Sequence, residues 1–248
     1  MIPDNPLLAE QLAYYRARAP EYDKWFRREG LYDWGVEYNA RWRTELEEVQ
    51  AAVDRFAPAG EVLELAYGTG EWTLRLAAMA SRVTGIDAAP EMRDQASAKL
   101  RAAGRTNVDL LIGDLFAWQP DKVYDAVFFA FWLSHVPLDR ADRFWENVHG
   151  SLRPGGRFFL ADNARVRIAE SSGLPGVVVD GNILHHSSGT LDLAASFDLR
   201  RLEDGRRYRV VKRSFDPDEL ARDLRVRGFK AHFVETGQFF VYGSGVRR

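Results

Sequence analysis

The chain has 248 residues and a formal net charge of −2 at pH 7, so it lacks the global positive field that draws a protein to nucleic acid or anionic lipid. It contains no cysteine, which excludes disulfides, thiolate metal sites and cysteine nucleophiles. The length suits one domain with a sizeable core, and no stretch approaches the ~18 consecutive apolar residues of a membrane span. A start of Met1-Ile2-Pro3-Asp4-Asn5, without a basic and then an apolar region, makes the cytoplasm the expected compartment.

From Leu7 to Arg28 apolar and aromatic residues recur at helical spacing, and Pro20 divides the stretch into a helix ending at Ala19 and a second one. Val36 to Phe56 reads as an amphipathic helix stopped by Ala57-Pro58-Ala59-Gly60, with a short buried strand from Val62 to Ala66 behind it. The pattern then alternates: helix Trp72 to Ala80, strand Val83 to Ile86, helix Pro90 to Ala102, strand Val108 to Ile112. Strand Ala126 to Phe131, helix Arg140 to Leu152 and strand Phe158 to Ala161 complete the series. Strands separated by helices of this length predict an α/β fold with a mostly parallel sheet covered on both faces.

After Asn163 about fifty residues depart from this pattern, long enough to carry structure of their own. Within them Leu191 to Leu202 and Arg206 to Ser214 alternate apolar with polar residues around Asp204-Gly205, which predicts a β-hairpin. A helix from Pro217 to Val226 returns to the core, and Phe229 to Glu235 with Phe239 to Gly243 forms a terminal antiparallel hairpin. The expected divisions of the single domain are a helical cap over residues 1–34, a core over 35–163, an insertion over 164–216 and a closing helix and hairpin over 217–248.

Glu64-Leu65-Ala66-Tyr67-Gly68-Thr69-Gly70 lies where the first strand turns into a helix, and glycines there let backbone approach a ligand outside the carboxyl end of a strand. Asp87 ends the second strand, where a carboxylate accepts hydrogen bonds from ribose hydroxyls, and Asp114 ends the third. With Leu152-Arg153-Pro154-Gly155-Gly156 before the fifth strand, these residues resemble the class I S-adenosylmethionine-dependent methyltransferases. The likeness covers roughly residues 59–162 and the terminal hairpin.

The resemblance implies a Rossmann-like, seven-stranded, mostly parallel sheet, S-adenosylmethionine as cofactor, and a small-molecule methyl acceptor as partner. It gives Glu64 and the backbone of Ala66, Tyr67 and Gly68 to the methionine end of the cofactor and Asp87 to the ribose, with Ala88 a further cofactor contact. Asp114 with Leu115 goes to the adenine, Met92 and Phe131 are further cofactor contacts, Phe131 with Trp132 being also a candidate apolar acceptor pocket, and Tyr15 and Tyr22 lie on helices that close over the cofactor, where rings attract a sulfonium. Tyr67 departs from the small residue or cysteine that many members carry there. A dinucleotide site would want a third glycine where this chain has Thr73, so an NAD(P)-dependent oxidoreductase is the lesser alternative, beside a methyltransferase-like scaffold without turnover.

Methyl transfer from a sulfonium demands alignment and dryness more than a nucleophilic side chain, and a base only where the acceptor must lose a proton. His135, just past the fourth strand, is the candidate base, with a hydrogen-bonded loop histidine as the structural alternative. His185 and His186 are adjacent on extended chain and point apart, which disfavours a shared metal. Asp162-Asn163 resembles half of a magnesium site whose companion acid is missing, so no metal is expected. The basic run of Arg200, Arg201, Arg206, Arg207, Arg209, Lys212 and Arg213 reads as a solvated hairpin face rather than an RNA contact, and the insertion is a possible homodimer surface.

Overall fold

Pro6 fixes the first helical turn and the Asn5 side chain caps it, accepting from Leu7 N at 2.9 Å; the helix α1 runs Pro6–Arg18. The computed structural model describes residues 5–164, 178–180, 183–186, 189–192 and 197–248. Pro20 acts as expected: a 3₁₀ turn, Ala19–Glu21, replaces α-helix before the short α2, Lys24–Arg27. A second 3₁₀ turn, Gly30–Tyr32, leads to α3, Val36–Phe56, whose apolar stripe of Trp42, Leu46, Val49, Val53 and Phe56 is buried.

The alternating region folds as β1 Glu61–Leu65, α4 Glu71–Ala77, β2 Arg82–Asp87, α5 Pro90–Ala102, β3 Val108–Ile112, β4 Tyr124–Ala130, α6 Ala141–Ser151 and β5 Leu152–Asn163. β5 starts earlier than its apolar run because Leu152 already pairs with Tyr124; the next partners are Ala126 and Arg157, so residues 153–156 bulge outward. Gly155, at φ +73°, makes that excursion possible.

The insertion holds β6 Val178–Asp180, β7 Ile183–His186, β8 Gly189–Asp192, β9 Phe197–Arg201 and β10 Arg207–Val211, an antiparallel sheet in the order β10-β9-β8-β7-β6. The predicted hairpin is its β9–β10 half, closed by Leu202 N donating to Arg206 O; the predicted first arm is divided between β8 and β9. Then follow α7, Pro217–Val226, β11, Phe229–Glu235, and β12, Phe240–Arg247.

The main sheet runs β11-β12-β5-β4-β1-β2-β3, parallel from β5 to β3, with β12 antiparallel to both its neighbours. One face is buried by α6 and α7 through Phe144, Trp145, Leu220 and Leu224; the other by α3 and α4 through Trp42, Phe56, Trp72 and Leu76. From β1 the chain builds outward to β2 and β3, then returns to place β4 on the opposite side. That reversal opens a crevice at the carboxyl ends of β1 and β4, the place where open α/β sheets bind ligands.

Candidate active site

Two residues at the carboxyl ends of these strands hold left-handed backbone without being glycine. Ala66, after β1, has φ +58°, and Phe131, after β4, has φ +56°. Such conformations cost roughly 1–2 kcal/mol each and persist where surrounding structure over-determines them, commonly beside ligands. Here Ala66 N donates to Ile86 O at 2.8 Å and Phe131 N to Ala161 O at 2.7 Å, which pins each turn to its neighbouring strand.

Between these turns lies a pocket that, with the open solvent at its mouth, spans about 730 Å³. The core contributes Ala66, Gly68, Asp87, Ala88, Ala89, Met92, Asp114, Leu115 and Phe116 on one side, and Ala130, Phe131, Trp132 and His135 on the other. Helix α1 and the turn after it close the top with Leu8, Gln11, Leu12, Tyr15 and Tyr22. Ten of the sequence-derived candidates therefore line one cavity: Tyr15, Tyr22, Ala66, Gly68, Asp87, Ala88, Met92, Asp114, Leu115 and Phe131, with His135 beside them.

Asp87 is held by two backbone donors, Gly68 N to Oδ2 and Ala89 N to Oδ1, each at 2.9 Å. Burial nevertheless pushes its carboxyl up to about 6, against those hydrogen bonds. Asp114 shapes its own turn, accepting from Phe116 N at 2.9 Å. Glu64, two residues before Ala66 on β1, is 2% exposed; Oε2 makes no well-formed hydrogen bond among the described residues, and burial, opposed by the Thr73 hydroxyl and aided by Asp87, raises its carboxyl to about 8. A buried carboxyl with a spare oxygen below a glycine turn suits the cationic methionine end of S-adenosylmethionine, and Asp87 suits a ribose, so the residues present fit that cofactor.

Tyr67, between Ala66 and Gly68, does not line the pocket. Its side chain turns into the cluster of Ala89, Met92 and Ala96, beside Gly85, where a Cβ would stand 2.8 Å from the Tyr67 ring. Of this turn, Ala66 and Gly68 line the cavity. Strand periodicity could not show this, because the left-handed turn at Ala66 breaks the alternation of side chains.

His135 is fixed at both ring nitrogens. Nδ1 lies 2.7 Å from Val211 O, an obligate acceptor, so Nδ1 carries the proton and Nε2, 2.7 Å from the Tyr15 hydroxyl, accepts from it. Burial, then the positive charges of Lys212, Arg200 and Arg18, holds the imidazole well below its ordinary pKa. Gln11 ties the same three segments, donating to His135 O at 3.2 Å and accepting from Val211 N at 2.9 Å.

Asp162 is wholly buried and accepts from Ser134 N, Asn163 N and Asn163 Nδ2 at 2.7–2.9 Å, which makes it the anchor of the loop carrying His135. Among the described residues no three His, Asp or Glu side chains are placed to hold a metal. His185 and His186 belong to β7, and their side chains lie outside the described part. Among the described helices none is long and apolar enough to cross a membrane.

The basic hairpin is not wholly a solvated face. Residues 198, 200 and 202 of one arm and 208, 210 and 212 of the other share the side toward α1, so Arg200 and Lys212 turn inward while Arg206 and Arg209 pair outside with Asp204 and Glu10. Sequence reading missed Gln11 and Arg18, for which the only signal was a polar residue on the apolar side of a helix.

A left-handed glycine turn, carboxylates ending β2 and β3, and a helical cap over the switch point define a class I S-adenosylmethionine-dependent methyltransferase, and the chain belongs to that family. The methyltransferase-domain family matches residues 62–156. The solved complex of DhpI with SAM and HEP is 34% identical, at TM-score 0.72, over 99% of this chain and 100% of that one. The DhpI–SAH complex is 36% identical, at TM-score 0.69, over 96% of each chain. The ubiquinone/menaquinone biosynthesis C-methyltransferase UbiE of Geotalea daltonii is 32% identical over 114 residues, and the chain spans 47% of that relative's length.

Proposed function

We propose that the protein transfers a methyl group to an oxygen or nitrogen of a small molecule held between the cofactor and the helical cap. The observation that carries this reading is one pocket joining the cofactor residues Gly68, Asp87 and Asp114 to Tyr15, Trp132 and His135. When bound, S-adenosylmethionine supplies a methyl group activated by its sulfonium. The chain's own residues do the rest. Glu64 and the Ala66–Gly68 backbone hold the methionine end, Asp87 and Ala88 the ribose, and Asp114, Leu115 and Met92 the adenine.

Tyr15, Tyr22, Phe131 and Trp132 give the acceptor side an aromatic lining that excludes water and accommodates an apolar body. His135 turns its unprotonated Nε2 toward Tyr15, so this pair receives a hydrogen bond or a proton from an acceptor O–H or N–H. That arrangement favours a heteroatom over the carbon named for UbiE.

Calorimetry tests the cofactor half: saturable S-adenosylmethionine binding in the native protein, lost in Asp87→Ala. A mass-spectrometric screen of acceptors then tests transfer. Binding without methylation of any acceptor would leave a scaffold, and tighter binding of NAD would favour an oxidoreductase.

A further inference from the structure

Two positively charged residues, Arg18 and Lys212, stand behind the acceptor wall and are not among the residues that line the pocket. Arg18, the last residue of α1, is only 7% exposed, yet no carboxylate lies within ion-pair distance among the described residues. Its guanidinium instead lies against the rings of Tyr22, Tyr32 and Tyr14, at 4.6, 5.3 and 5.6 Å from their centroids, and Tyr22 lines the pocket. Lys212 follows β10; its Nζ makes one long hydrogen bond, 3.2 Å, to the hydroxyl of Ser134, the neighbour of His135.

Buried hydrogen-bonding capacity is left over around Arg18. Arg18 Nε is buried without a partner among the described residues, and the hydroxyls of Tyr14 and Tyr32, buried beside it and close enough to interact with each other, make no well-formed hydrogen bond there. Leaving such groups unpaired costs roughly 1–3 kcal/mol apiece, so clusters of them mark places completed by something else. All three are donors, and the group that satisfies several donors beside two cations is an oxyanion.

The neighbouring acids act on these cations only from beyond ion-pair distance. Asp198 is paired with Arg200 at 2.5 Å on the inner face of the hairpin and attracts Lys212 at longer range, as does Asp162. Asp162 spends its oxygens on three N–H donors of its own loop, and Glu21, which attracts Arg18, accepts from Glu203 N through one oxygen while the other is buried without a partner among the described residues. Arg18 and Lys212, which stand behind Tyr22 and Ser134, thus have no direct carboxylate contact among the described residues. Their charge is felt inside the pocket, because both, with Arg200, disfavour protonation of His135 on its wall.

We propose that Arg18 and Lys212, helped by the hydroxyls of Tyr14 and Tyr32, seat an acidic group of the methyl acceptor, so that the substrate is a small carboxylate or phosphoryl compound. This rests on the methyltransferase reading and narrows its substrate. The aromatic wall then contacts the body of the acceptor while the cations fix the end that carries the charge. An uncharged aromatic molecule would leave Arg18 desolvated and unpaired, which selects against it.

The test uses the whole protein with S-adenosylhomocysteine present, titrated with inorganic phosphate and, separately, acetate, while the labelled His135 ring is followed by NMR. Binding of either anion should raise the pKa of His135 by neutralising the cations, and the preferred anion identifies a phosphoryl or a carboxylate acceptor. Lys212→Met and Arg18→Gln should each weaken that anion at least tenfold with S-adenosylmethionine affinity within twofold of the native value. If Arg18→Gln fails to fold, Lys212→Met and Tyr32→Phe decide. Cofactor binding with no shift of His135 by either anion, or anion binding unchanged in the variants, overturns the acidic acceptor but not the methyltransferase. Loss of cofactor binding in the native protein would instead sink the proposed function.

Discussion

The Tyr15 hydroxyl lies 2.7 Å from Nε2 of His135, joining the first helix to the loop after β4 across 120 residues of sequence. The same imidazole is fixed from the other side by Val211 O, so cap, core and insertion meet at one ring. His135→Ala should lower turnover by about 100-fold, the lower end of what a positioned acid–base group contributes, with cofactor affinity near native. Steady-state kinetics beside calorimetry checks this; unchanged turnover removes His135 from the chemistry.

Asp87 gives a pH dependence with a definite sign. Its folded carboxyl titrates near 6, and only the ionised form accepts freely from ribose hydroxyls while keeping its bonds to Gly68 N and Ala89 N. Cofactor affinity should fall as pH drops below about 6, and Asp87→Asn should bind weakly with that pH dependence flattened. Calorimetry between pH 5 and 8 is the measurement.

Glu64 makes the cofactor-free protein sensitive in the opposite sense. An unfolded glutamate titrates near ~4.3, and here burial raises the group to about 8. The fold thus retains a proton that the unfolded chain releases, a stabilisation present below pH ~4 and lost as pH rises through 8. Glu64→Gln, which imitates the protonated form, should stabilise the empty protein by on the order of 2 kcal/mol at pH 8 and little at pH 4, judged by urea unfolding. Equal effects at both pH values would contradict the raised carboxyl.

Gly70 closes the cofactor turn at φ +84°, and a Cβ there would stand 2.9 Å from Cβ of Ala96 on α5. Gly70→Ala should destabilise the fold by roughly 1–3 kcal/mol, from backbone strain and forced separation of α4 and α5. Ala66→Gly should act the other way, relieving a left-handed alanine at φ +58° and raising stability by up to about 1 kcal/mol. Paired thermal melts of the two variants read both signs.

The cap is latched to the glycine turn through Asp23, which accepts from the Thr69 hydroxyl at 2.5 Å and pairs with Lys99 at 2.7 Å. Asp23→Ala should speed cofactor dissociation severalfold while leaving the melting temperature within a few degrees, measured by stopped-flow release. A native dissociation rate would show that the latch does not govern exchange.

Much of the fold was legible because helix and strand periodicities were strong: α3, α5, α7, β3 and β11 fall where the residue pattern puts them. The glycine turn and its acids were equally readable, since each ends a strand of a parallel sheet. What the pattern hid was reversal of direction. Tyr67 turned away because Ala66 takes left-handed backbone, and Arg200 and Lys212 turned inward although charge density marked the hairpin as a solvated face. The Gln11 bridge, like the aromatic nest around Arg18, depends on contacts between segments up to 200 residues apart, which no local signal encodes.

Gln11, Glu10 and Lys24 of the cap bind Val211, Arg209 and Glu203 of the insertion, so the two segments form one jaw. A change of diet for this enzyme cannot then be written in either segment alone. Relatives that diverge in substrate are expected to exchange residues 10–24 and 203–212 together, as a cassette, while the nucleoside shelf under them stays as it is.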